Sequence, residues 1–212
     1  MKRKVTDGAI KNKQRTKKRF IDAVGKILKT KGYSALKVND IASVAGLDKK
    51  LIYDYFGGCD KLIDEYISSQ DFWSNVQYEE KEVDVNDGGQ SLSKALLLSQ
   101  FDYVFQNREL QKIILWGLSE KRKSLKKLAD KREEEGEVVF KHICDPHFGN
   151  KAHLYRAITA LLVSGIYYLD IYATIDNCKT FCGLDLSTQE GRAALKEAIT
   201  FIIDNSYCNL KP

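Results

Sequence analysis

Helix breakers are scarce in this chain. Two prolines occur in 212 residues, Pro146 and Pro212, so long uninterrupted helices are allowed over most of its length. Uninterrupted apolar runs of the roughly 18–20 residues that span a bilayer are missing. The basic start, MKRKVTDGAIKNKQRTKKR, has no apolar stretch after it and so lacks the make-up of a secretory signal. These features predict a cytoplasmic protein. The five cysteines (Cys59, Cys144, Cys178, Cys182 and Cys208) are odd in number and irregularly spaced. Reduced thiols fit them better than a disulfide framework. Strand-like alternation is limited to a brief EVDVN, and the fold class expected is all-α.

Enzyme signatures are missing too. The chain has no Gly-rich phosphate loop, nucleophile elbow or metal-protease helix. His142, Cys144, His147 and His153 fall within twelve residues, and Cys178 and Cys182 are four apart, but neither set has the paired spacing of a structural zinc site. Nothing orients a Cys144–His147 pair for catalysis. The expectation is no enzyme, no metal and no cofactor.

Apolar residues make up 43% of the chain and charged residues 30%, which indicates a globular protein with a core. The net charge of +5 is unevenly spread. Residues 1–62 hold 16 Lys and Arg against 6 Asp and Glu, whereas the rest holds 18 against 23. A basic small domain beside an acidic larger one suggests nucleic-acid binding at one end.

Residues 1–14 read as a flexible basic tail. Helical periodicity begins at Arg15, with Phe20, Ala23, Val24, Ile27 and Leu28 at spacings of three and four, and Gly32 suits the stop. A second helix over 38–45 buries Val38, Ile41, Ala42 and Ala45, and Gly46 breaks it. A third runs from Asp48 to Phe56 and ends at Gly57-Gly58. Asp60 is placed to cap a fourth, with Leu62, Ile63, Tyr66 and Ile67 on its apolar side. Residues 77–90 are acidic, end in Gly-Gly and read as a loop. Five further helical stretches follow: 91–106, 108–116, 120–143, 151–175 and 188–208. Residues 176–187 connect the last two. The expected domains are a tail over 1–14, a helix-turn-helix domain over 15–62 and a helical regulatory and dimerisation domain over 63–212.

The stretch 32–62, GYSALKVNDIASVAGLDKKLIYDYFGGCDKL, packs two short helices and a glycine turn into about thirty residues. In a helix-turn-helix the second helix enters the major groove and the first crosses the backbone. Asp48 can accept the free N–H groups at the third helix's start. Lys49 and Lys50 then sit in its first turn, within reach of a guanine edge or a phosphate. Leu51 can meet a thymine methyl. Ile52 and Phe56, four apart, face inward. Tyr53 and Tyr55 carry hydroxyls for phosphate oxygens, with simple packing as the competing reading.

These residues resemble the N-terminal domain of the TetR family of bacterial transcriptional regulators. The likeness lies in G-(F/Y), D-I-A-x-x-A-G, L-Y-x-Y-F and (E/D)-K-x-x-L, all at family spacing within residues 15–65 or so. The resemblance implies base reading by Lys49, Lys50, Leu51 and Tyr53. It implies phosphate contacts by Tyr55 and Lys61. Lys37 stands where the family commonly has a capping Thr or Ser, which weakens the second helix's start but adds positive charge. Lys50, Leu51 and Asp54 also depart from common family residues, so the resemblance implies an operator particular to this chain.

The same resemblance implies a homodimer on a palindromic double-stranded operator, repressor action, and a small-molecule effector bound among the C-terminal helices. Leu154, Ile158, Leu161, Gly165 and Tyr168 on one stretch, and Leu195, Ala198, Ile199 and Ile202 on the last, form the apolar stripes of a dimer face. Phe101, Tyr103, Phe105, Trp116, Phe140, Tyr155 and Tyr167 are the candidate pocket aromatics and would suit a lipophilic or aromatic effector. An alternative is regulation by a protein partner, with no small-molecule pocket.

Overall fold

The computed structural model describes residues 7–70, 84, 86–175 and 179–210. The fold is all-α apart from one small hairpin. In chain order the helices are α1 (Asp7–Lys31), α2 (Val38–Ala45), α3 (Lys50–Phe56), α4 (Cys59–Ser68), α5 (Gln90–Gln106), α6 (Arg108–Ser119), α7 (Lys123–Val139), α8 (Asp145–Phe148), α9 (Ala152–Tyr172) and α10 (Gln189–Asn209). Much of the loop expected over 77–90, including Glu82, Val83 and Val85 of EVDVN, and Cys178 lie outside the described residues.

The chain divides into two compact units. One comprises Met1–Asp71 with Lys112–Leu128, the other Phe72–Gln111 with Ala129–Pro212. The division expected at 62/63 falls within α4, which belongs whole to the first unit together with a segment from the middle of the chain.

The first unit is built on α1. Phe20, Val24, Ile27 and Leu28 are buried, as are Ile41 of α2, Ile52 and Phe56 of α3, and Leu62, Tyr66 and Ile67 of α4; α1 packs on α2 and α4, and α3 on α4. Phe20 and Phe56 pack edge to face with centroids 6.1 Å apart, a preferred aromatic geometry. α1 starts at Asp7, well before the expected Arg15. The flexible tail foreseen over 1–14 is therefore helical from Asp7 onward. Lys, Gln and Arg are good helix formers, but they bury little and leave no apolar period to read. Gly32 ends α1 with φ +79°, and its N–H donates to the Leu28 carbonyl at 2.9 Å.

Residues 112–128 join this unit through three side chains. Trp116 stacks on Tyr33 with centroids 5.4 Å apart and planes 4° from parallel. The Arg122 guanidinium lies 5.6 Å from the Trp116 ring centre. Its Nε donates to Asp64 Oδ1 at 2.7 Å and its Nη2 to the Asp60 carbonyl at 2.8 Å. Ser124 Oγ donates to the same Asp64 oxygen at 2.7 Å. Asp64 sits below the usual carboxylate range: burial raises it, and the bonds from Ser124 and Arg122 outweigh that.

In the second unit α5 packs on both α9 and α10, burying Leu97, Phe101, Val104, Ile166, Ile171, Ile199 and Ile203. The helix expected over 120–143 ends as α7 at Val139 and continues as a single π-helical turn, Phe140–Cys144. The connector between α9 and α10 holds the hairpin that sequence reading missed: β1 (Thr180–Phe181) pairs antiparallel with β2 (Leu184–Asp185). Cys182 and Gly183 turn it with φ +50° and +80°, the two positive values that a tight hairpin turn needs. Phe181 rests on Tyr168 and Tyr172 of α9, with both centroids 5.5 Å away.

Candidate nucleic-acid interface

The geometry of α2, the turn and α3 is fixed by backbone groups at helix ends. Gly46 adopts a left-handed conformation, φ +62° and ψ +41°, at little cost because it has no β-carbon. Arg19 of α1 reaches the same turn: its Nη2 donates to the Ala45 carbonyl at 2.6 Å and to the Gly46 carbonyl at 3.3 Å. These carbonyls at the end of α2 have no helical partner, and a cation there also meets the negative end of the helix dipole. Sequence reading missed Arg19. Its only signal is a position directly before the first core residue, Phe20.

Asp48 behaves as expected at the start of α3. Its Oδ1 accepts the Lys50 N–H at 2.8 Å. The expected Asp60 cap is not formed. Gly58 precedes α4 with φ +136° and no side-chain cap, and Asp60 lies inside the first turn. Arg122 holds the Asp60 carbonyl instead. Lys37 precedes α2 in extended conformation, φ −107° and ψ +147°, with no side-chain hydrogen bond to the helix end. That matches the expectation that a lysine cannot serve as the acceptor there.

The side chains of α3 divide as its periodicity predicts. Ile52 and Phe56 are buried. Lys49, Lys50, Tyr53 and Asp54 are exposed, and Leu51 and Tyr55 are half-buried. Tyr53 is 56% exposed, which no packing role requires. Lys49 Nζ donates to Asn39 Oδ1 of α2 at 3.3 Å, steadying the first turn of α3. The Lys13 ammonium of α1 lies over the Tyr55 ring, 5.3 Å from its centre. The exposed Lys61 side chain crosses the α3 end: a β-carbon on Gly57 would come within 3.3 Å of Lys61 Nζ. Lys49 stands just before α3, Lys50, Tyr53 and Tyr55 lie on it, and Lys61 lies in the first turn of α4. Lys37 stands exposed at the other end of the motif.

In the second unit, the aromatic candidates go to separate places. Phe101 and Phe105 flank Arg192 of α10, whose guanidinium carbon is 3.9 and 3.8 Å from the two ring centres. Arg192 Nη1 donates to Asp170 Oδ1 at 2.9 Å, and Asp102 receives Lys196 Nζ at 2.6 Å. Asp170 is 1% exposed, and among the described residues its Oδ2 has no hydrogen-bond partner. Burial pushes its carboxyl up to about 7 despite the Arg192 contact, and the nearby Asp102 adds to the rise. Tyr155 and Phe140 pack edge to face in another cluster with Phe148 and Tyr207. Tyr167 accepts from Gln100 at 2.9 Å, and Tyr103 accepts from Asn107 at 3.1 Å. Trp116 belongs to the first unit, against Tyr33. Among the described residues no group of three His, Cys, Asp or Glu is placed to hold a metal ion.

Of the expected dimer stripes, Leu154, Leu161, Tyr168, Ala198 and Ile202 are exposed, Ile158, Gly165 and Leu195 are half-buried, and Ile199 is buried within its own unit. Phe201, absent from the expected set, is 65% exposed. The rule that an apolar stripe continues at i+3 and i+4 points to it from Ala198.

An exposed, lysine-bearing helix held on a braced helix-turn-helix defines a DNA-binding protein. Residues 20–66 match the family model of the bacterial regulatory proteins of the tetR family. The match is confined to this N-terminal part of the chain, which is a DNA-binding domain of the TetR type. No curated relative matches the chain in sequence. Solved structures do match in fold. The fatty acid degradation regulator FadR from Bacillus halodurans aligns at TM-score 0.58 and 15% identity, over 95% of this chain and 97% of that one. NalD from Pseudomonas aeruginosa, the secondary repressor of the MexAB-OprM multidrug efflux pump, aligns at 0.55 and 18%, over 89% and 95%. A TetR-family regulator from Rhodococcus sp. aligns at 0.51 and 17%, over 89% and 99%.

Proposed function

We propose that the chain represses transcription as a cytoplasmic homodimer that holds a palindromic operator with one α3 in each half-site and leaves it when a small lipophilic or aromatic effector binds the second unit. The observation that carries the DNA-reading part is the first turn of α3. Lys49 and Lys50 stand exposed there on a helix whose start, turn and preceding helix are each held by side chains: Asp48, Arg19 and Asn39. Lys50 and Tyr53 read bases, while Lys61, Tyr55 and Lys37 hold phosphates.

Burial supports the homodimer. The helical stretch containing α9 is apolar and long enough, by length and composition alone, to cross a membrane, yet only 28% of its most apolar 18-residue window is buried. Leu161 is 75% exposed and Tyr168 54%, with Phe201 of α10 beside them in exposure. Such a surface is costly in water, at roughly 25 cal/mol per Å², and a second copy of the same face would cover it. Two copies also supply the two reading helices that half-sites about 34–36 Å apart require.

The effector reading rests on the second unit's interior. Arg192 and the buried Asp170 place a few polar groups beside Phe101 and Phe105 in an otherwise apolar setting, as small-molecule sites do. An effector would shift α4 and with it the separation of the two α3 helices. It can do so only to the extent that it binds the released state more tightly than the DNA-bound one.

Lys50→Ala tests the DNA-reading assignment. Binding measured by fluorescence anisotropy on a panel of operator variants should lose discrimination at one base pair per half-site, by about 1–3 kcal/mol. Equal weakening on every sequence would reduce Lys50 to a backbone contact.

A further inference from the structure

The N-terminal half of α1 is unaccounted for by the helix-turn-helix. The family match begins at residue 20, but α1 begins at Asp7. Residues 7–19, DGAIKNKQRTKKR, carry six Lys and Arg against one Asp, a net charge equal to that of the entire chain. Two of the six cations fix the helix in place. Lys17 pairs with Glu65 of α4 at 2.7 Å and lies over the Phe56 ring at 4.7 Å, and Arg19 holds the carbonyls at the turn. The other four, Lys11, Lys13, Arg15 and Lys18, are exposed, and among the described residues none has a carboxylate partner. Lys13 lies over the ring of Tyr55, a residue of α3 itself. The extension is therefore rigidly joined to the DNA-reading domain, positively charged, and in contact with the reading helix.

We propose that this extension of α1 is a second DNA-binding element, which holds backbone phosphates flanking the half-site that α3 reads. The inference rests on the assignment of α3 as the reading helix. Thirteen helical residues are about 20 Å long, the rise of about six base pairs at 3.4 Å each. Lys13 addresses the phosphate nearest Tyr55, and Lys11 and Arg15, four residues apart on one helix face, address those farther out. Four exposed cations on a fixed helix complement the phosphate charge and carry no sequence preference.

The test compares two duplexes, a core operator and the same operator with eight added base pairs on each side, against the full chain and the triple variant Lys11→Gln, Lys13→Gln, Arg15→Gln. Glutamine keeps the helix propensity, and circular dichroism checks that α1 is retained. Wild type should bind the longer duplex about tenfold tighter at low salt, with a steeper dependence on salt. The variant should lose that gain and about 2–3 from the log–log salt slope on the long duplex, at about 0.9 per phosphate, while keeping most of its affinity for the core duplex. Lys26→Gln with Lys29→Gln, exposed lysines farther along α1, should change neither. Equal affinity of wild type for the two duplexes, or an equal loss by the triple variant on both, overturns the proposal. Failure of the underlying α3 assignment appears differently, as an unchanged base preference of Lys50→Ala on the core duplex.

Discussion

Single residues show how little of this surface is left to chance. Arg19, Asp48 and Asn39 each use one side chain to settle a backbone end or steady a lysine at the reading surface. Asp170 is the opposite case, a buried carboxyl with one oxygen on Arg192 and the other without a hydrogen-bond partner among the described residues. Because burial raises its folded-state value to about 7, the folded chain holds that proton more tightly than the unfolded chain, where an ordinary Asp titrates near 3.9. Stability from this group is therefore full below about pH 4, falls as pH rises, and levels off above about pH 7. Asp170→Asn should remove the dependence. Urea unfolding at pH 5 and pH 8 should show wild type losing more of its midpoint over that step than the variant, and equal losses would place the Asp170 carboxyl in its ordinary range.

At the scale of elements, the sequence made most of the first unit legible and much of the second only in outline. The glycines at 32, 46 and 57 each have positive φ, and the apolar spacing of Phe20 to Leu28 and of Ile52 to Phe56 marks faces that are in fact buried. Local chemistry decides those features, so local reading finds them. Residues 11–15 of α1 are all exposed and leave no apolar period. The clamp of Arg122 on Asp64 joins residues 58 positions apart, and the Cys182–Gly183 turn lacks the usual Asn-Gly or Asp-Gly signature. The pocket aromatics share composition and so look like one set in the sequence, but helix spacing says nothing about which neighbours they find. The start of α2 offers a prediction at this scale. Lys37 has the extended backbone of a capping residue and no acceptor to cap with. Lys37→Thr should raise stability by about 1 kcal/mol, seen as a higher melting temperature, and should weaken DNA binding at low salt by removing a cation. A lowered melting temperature would show that the Lys37 side chain stabilises α2 in another way.

For the molecule as a whole, the account requires two copies. Leu161→Glu with Phe201→Glu places charges at strongly exposed apolar positions of α9 and α10, where burying a carboxylate against a partner is costly. Sedimentation equilibrium should show a monomer that keeps its helical content, and operator affinity should fall by orders of magnitude because one reading helix must bind alone. A variant that remains dimeric would move the interface elsewhere on the second unit.

The central claim, a two-fold DNA reader working through α3, is tested most directly by selecting sequences from a pool of random duplexes with the purified full chain and sequencing the bound fraction. The account predicts one enriched motif with inverted half-sites centred about 10 base pairs, or a multiple of one helical turn, apart, and a shift of preferred base within each half-site for Lys50→Ala. Enrichment of no sequence, or of a single asymmetric site unaffected by Lys50→Ala, would contradict it.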